Sequence, residues 1–358
     1  MTPALKCGAT IASTGAAVDR EFVTTAGVIA LVNLHAQIDG QERQLRAGRL
    51  TTPGRVELVD LVSLRGQVLG RISDYERAEE LAEQLVDDAP GSGLAFLARA
   101  RARARFHRFA EALADLDVAQ RLGADPAVLD AERAATFQAI GRYDDALALH
   151  REAVERRADL NSLGAMATLY AERGEIAAAE RFFEESRERY RGVSPFPLAF
   201  LDFQRGLMWL AHGDLHQARV WLADAYRRLP YYAAAAGHLA EIEAALGDTE
   251  AALDQLRSLA TSSDDPDYAT SLARILREEG RAEEAHEWRV KAATRYEELI
   301  ARHAAAFADH AAEFWLEAGA DPQRALWLAQ KNVEVRQTPR AYELLRHAAQ
   351  ASGGAAAV

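Results

Sequence analysis

Arg108-Phe109-Ala110-Glu111-Ala112, Arg142-Tyr143-Asp144-Asp145-Ala146 and Asp248-Thr249-Glu250-Ala251-Ala252 are three copies of one short phrase, and their spacing decides the fold. Four more copies end at Ala78, Ala179, Ala218 and Ala285, so the seven anchor alanines follow one another at 34, 34, 33, 39, 34 and 33 residues. Twelve residues ahead of each anchor stands a small residue: Gly66, Ala100, Ala134, Ala167, Gly206, Ala240 or Ala273. Five residues ahead, in five of the units, stands a glycine, at 141, 174, 213, 247 and 280. Facing small residues let two antiparallel helices approach closely, and glycine supplies the positive φ that ends the first helix. Each unit therefore reads as a helical hairpin. A hairpin this short cannot bury its own apolar face, so successive hairpins must stack and share a core.

The composition agrees. The 358 residues are 49% hydrophobic and 27% charged, with a mean hydropathy of -0.21, which argues against an integral membrane protein. A formal charge of -12 disfavours general attraction to nucleic acid or anionic lipid, so neither is an expected partner. The single Cys7 excludes an intrachain disulfide and cysteine-built structural zinc. The N-terminus lacks the apolar core of a secretory signal, and Phe22 to Ile38 carries Asn33 and His35 and is too short to span a bilayer, so it reads as a buried helix. A cytoplasmic location is expected. Lysine occurs only at 6, 291 and 331 amid abundant arginine and alanine, as in a GC-rich, bacterial genome.

The 34-residue period, the small residue early in the first helix, the post-turn aromatics Tyr75, Phe109 and Tyr143, and the unit-closing Pro90 and Pro230 resemble the tetratricopeptide repeat (TPR) family. The resemblance covers roughly 59–297 and implies an all-α, right-handed α-solenoid of about eight helix-turn-helix repeats. Units are expected near 59–92, 93–126, 127–159, 160–198, 199–232, 233–265, 266–304 and 305–337. An N-terminal helical cap (20–58), a C-terminal capping helix (338–350), a flexible N-terminus (1–19) and a disordered tail (351–358) complete the expected organisation.

In that family helix A lines the concave surface. Mapped here, this implies a groove that is basic at Arg71, Arg101 and Arg105, apolar at Phe203, Leu207 and Leu210, and mixed at Glu241, Arg274, Arg277, Asp309 and Glu313; the alternative for the three apolar residues is that they pack the core where the helix pair is irregular. The expected ligand is a protein or peptide segment with an apolar anchor and acidic groups. Arg65, Arg99, Arg133 and Arg205 recur at one repeat position, so they read as ion-pairing scaffold. The 39-residue interval falls at Arg191-Gly192-Val193-Ser194-Pro195-Phe196-Pro197, a loop that lengthens one connection or serves as a binding element. Ser262 to Tyr268 lacks the glycine and distal glutamate of a calcium loop and reads as a turn with an N-cap at Asp264 or Asp265.

His238-x-x-Glu241 and His310-x-x-Glu313 place His and Glu on one helical face, and with His303 they are the weak candidates for a metal site and an accessory enzymatic role. No Gly-rich strand-to-helix loop, GxSxG elbow or HExxH is present. The expectation is a scaffold with no cofactor and no catalytic residues. Self-association through residues 20–46 is a third alternative, and the sequence leaves the oligomeric state open.

Overall fold

The computed structural model describes residues 23–353. The expected flexible segment 1–19, with Lys6 and Cys7, and residues 354–358 of the expected tail lie outside the described residues. Among the described residues there are seventeen helices and no strand. After α1 (Gly27–Arg46) come antiparallel pairs: α2 (Thr52–Leu69) with α3 (Ile72–Asp88), α4 (Gly93–Arg105) with α5 (Phe109–Arg121), α6 (Pro126–Ala139) with α7 (Tyr143–Arg156), and α8 (Leu160–Glu172) with α9 (Ile176–Arg189). Then follow α10 (Phe196–Ala211) with α11 (Leu215–Arg228) and α12 (Ala233–Ala245) with α13 (Thr249–Ser262). α14 (Asp267–Glu278) pairs with the first arm of α15 (Ala282–Leu316), and the second arm pairs with α16 (Pro322–Val335). α17 (Pro339–Ala351) packs on the end. The chain is an all-helical repeat solenoid.

The repeated residues explain the pairing. All seven anchor alanines are buried, at most 6% exposed. Gly206 shows why the opposing position is small: a Cβ there would stand 2.7 Å from Leu222 Cγ on the partner helix. Glycines 141, 174, 213, 247 and 280 all have positive φ, between 74° and 101°. His107, at φ 55°, occupies the same place in the second unit. The first unit differs. Its turn glycine is Gly70, at φ 61°, so α3 begins at Ile72 and the phrase ending in Ala78 lies a full turn inside the helix. Its helix A also starts earlier than position 59, where the Thr51 hydroxyl accepts the Gly54 amide and Pro53 sets the first turn.

The superhelix is tight enough to meet itself. The Ile72 amide donates to Asp264, the His107 ring meets the Ala305 carbonyl, and Arg336 donates to the Ala139 carbonyl, at separations of 192, 198 and 197 residues. With a 34-residue repeat, one superhelical turn therefore takes just under six units. The helix-A-to-helix-B turns of the first three units dock onto the connections that follow the sixth, seventh and eighth units. We call this contact the seam. Ile72 and Phe106 are sealed there against Leu299 and Ala306. Phe106 stacks on His303 at 3.9 Å, and Glu76 holds both His303 (3.0 Å) and Arg302 (2.5 Å). His303 breaks helical geometry inside α15, with φ -137° and ψ 50°, where a loop between units near 304 was expected. Asp264 caps α3 across the seam through the Ile72 and Ser73 amides, at 2.5 and 3.0 Å, rather than its own helix. Asp265 accepts the Asp267 amide.

The insertion at 191–197 has a related role: the Val193 carbonyl accepts the Thr25 amide, and so receives the chain just ahead of α1.

Candidate functional site

The seam rearranges the expected groove. α12 reaches across the axis to α2, and Tyr232 hydrogen-bonds Gln67. Phe203, expected as an open anchor, is 7% exposed and packs on Tyr232 and His238 with ring centroids 5.0 and 6.0 Å apart. Leu207 and Leu210 are half-buried against the same core. The apolar middle of the groove is thus occupied by the protein itself, because a superhelix of this pitch brings its sixth unit onto its first.

What stays open is a cleft of about 530 Å³ on the inner faces of α2, α4 and α6. Leu64, Ala104, Ala135 and Ala139 supply apolar wall, and Ser63 and Thr136 supply hydroxyls. Arg101 is spanned by Asp60 (3.1 Å) and Glu132 (2.6 Å), so its charge is already answered. Burial pushes the Asp60 carboxyl up against the pull of Arg101. Arg105 is exposed, lies 5.5 Å from the Tyr75 ring centroid and donates to Gln67 at 3.1 Å. It is the lining cation not held by a carboxylate, and a guanidinium can donate two parallel hydrogen bonds to one carboxylate. Asp60, Gln67, Glu132 and Ala135 were not singled out from sequence. A signal existed for some: Gln67 and Ala135 hold the repeat position of Arg101, and Ala139 that of Arg105.

The remaining candidates are dispersed among separate pairs. Arg71 is exposed at the N-cap of α3. Glu241 takes His238 at 3.0 Å and Ser271 at 2.5 Å, with Arg274 at 3.8 Å; burial opposes its charge, but these partners outweigh it and hold the carboxyl below its ordinary range. Arg277 donates to the Glu317 carbonyl, buried Asp309 pairs with Arg336 at 2.9 Å, and Glu313 pairs with Arg340 at 2.9 Å. His310 contacts Asp267 at 2.8 Å, and the Tyr296 hydroxyl donates to the same carboxylate. The Asp267 charge raises His310 well above the ordinary histidine range. Both side chains keep about two-fifths of their surface, 42% and 38%. Burial and then the neighbouring Asp267 push Asp265 up to about 7. The weak metal candidates His238, His303, His310 and Glu313 each have a different partner, and among the described residues no three His, Cys, Asp or Glu side chains are arranged to hold a metal ion.

The repeated arginines are ion-paired. Arg99 joins Asp115 of its own unit (2.7 Å) to Glu83 of the one before (2.9 Å), Arg65 pairs with Asp74, Arg133 with Asp117, and Arg205 with Glu180.

The model of the tetratricopeptide repeat matches residues 133–161 and 160–194, the third and fourth helix pairs. The chain thus carries tetratricopeptide repeats over residues 133–194. Its TPR solenoid is similar to human IFIT1 in a dimer with m7Gppp-AAAA, at 16% identity over 84% of this chain and 72% of that one, with a TM-score of 0.55. IFIT1 in a dimer with PPP-AAAA gives 16% identity over 90% and 79%, with a TM-score of 0.54. These likenesses are of fold. No curated protein matches this TPR chain. Among its described residues no helix is long and apolar enough to cross a membrane.

Proposed function

We propose that this TPR chain is a non-catalytic scaffold that holds a short protein segment in the cleft of α2, α4 and α6. The observation that carries the reading is the open cleft of about 530 Å³, with an apolar wall and one exposed guanidinium, Arg105, at its edge. An aliphatic side chain would lie against Leu64, Ala104 and Ala135, and a carboxylate would meet Arg105. Apolar burial supplies affinity in such contacts and the charge fixes register. Asp60 and Glu132 on the same wall, and a net charge of -12, weigh against a phosphate backbone as the occupant.

Selection from a displayed random-peptide library followed by calorimetry tests this. Selected peptides should carry an acidic residue beside an aliphatic one. Arg105→Glu and Ala135→Trp, the second filling the cleft, should each weaken binding by about tenfold or more, roughly 1.4 kcal/mol. Association should also slow as salt rises. Peptides that bind Ala135→Trp as tightly as the parent would remove the cleft from the proposal.

A further inference from the structure

The seam is one instance of a contact that the rest of the molecule leaves unmade. In a stacked array all helix-A-to-helix-B turns lie along one edge and all connections between units along the other. The turns at Gly70, His107 and Gly141 are docked, and a Cβ at Gly141 would stand 2.3 Å from the Gln337 carbonyl oxygen. The later turns are open: a Cβ at Gly174, Gly213, Gly247 or Gly280 would meet nothing within 4 Å. On the other edge, the connections near Val193 and Leu229 are covered by the chain around Thr25 and Gly27, and those near Asp264, His303 and Arg336 are covered by the seam. The connections after α3, α5 and α7 remain, and Gly91 and Gly123 in the first two also face open space.

Two leucines mark these free edges. Leu246 ends α12 as Phe106 ends α4, and Leu122 ends α5 as Leu229 ends α11. Phe106 and Leu229, where the edges are docked, are 2% and 0% exposed; Leu246 and Leu122 are each 40% exposed.

We propose that a second copy of this chain docks its free connection edge on the free turn edge, continuing between molecules the contact that the seam makes within one. The joined patches differ, so the association is heterologous and head to tail, and each added copy presents a new free edge.

Sedimentation velocity over a wide concentration range tests it. Wild type should show a weight-average mass that rises with concentration past that of a dimer. Leu246→Glu and Leu122→Glu should each run as monomers with unchanged circular dichroism. Mixed one to one, the two variants should form a dimer that grows no further, since each retains the edge the other has lost; this recovery also establishes that both are folded. Wild type that stays monomeric to its solubility limit overturns the proposal, as does association that survives in both variants. So does association lost instead in Val32→Glu, which would locate the contact on the outer face of α1, where Val28, Ile29 and Val32 are exposed.

Discussion

Gly141 and Gly174 hold the same repeat position with nearly the same backbone, φ 87° and 75°, but only Gly141 touches the seam. Alanine at either position is strained by about 1–2 kcal/mol in the left-handed region. Gly141→Ala must also displace Gln337, so it should lose about 1–3 kcal/mol more than Gly174→Ala in urea denaturation. Equal losses would mean that the seam contributes nothing there. Asp265 supplies a second test. Its carboxyl is raised in the fold to about 7 from an unfolded value near 3.8, so the folded chain binds this proton more tightly. Stability from this group is full below the unfolded value and is lost as pH rises through the folded one. Asp265→Asn keeps an oxygen for the Asp267 amide and should flatten that decline between about pH 4 and 7, measured by the denaturation midpoint at each pH. At this scale the repeated residues were the legible ones. An alanine at a helix crossing does the same work in every unit and so recurs, whereas Asp264 caps a helix 192 residues away and happens once.

Among the elements, α3 and α15 are shaped by contacts that local sequence does not encode. α3 begins with no side-chain cap of its own, and its first two amides are met by Asp264. Asp264→Ala should therefore destabilise the first turn of α3 by about 0.5–2 kcal/mol, and hydrogen exchange should quicken at Ile72 and Ser73 rather than in α14. Quickening confined to α14 would return Asp264 to the local role expected from its place before that helix. The kink of α15 has neither proline nor glycine at His303. It sits where the His303 ring stacks on Phe106 and binds Glu76, which is the physical reason one bent helix replaces the loop expected there. Phe203 illustrates the converse. Its place on helix A was readable, but its burial depends on superhelical pitch, which sums small rotations over six units and is invisible in any single one.

For the whole molecule, pitch decides what the inner surface can do. A wider superhelix would expose Phe203, Leu207 and Leu210 as one apolar strip; this one folds them inward and leaves the cleft bounded by Arg105 and the Asp60–Arg101–Glu132 ion cluster. Seam contacts span more than half the chain, while contacts between neighbouring units close locally and quickly. During synthesis the first three units emerge from the ribosome with their turns bare, and must wait for Asp264, then His303, then Arg336 to be translated before each turn finds its mate. A nascent chain halted before residue 264 is thus an open arc with Ile72 and Phe106 in water, the form that a chaperone or a protease meets first.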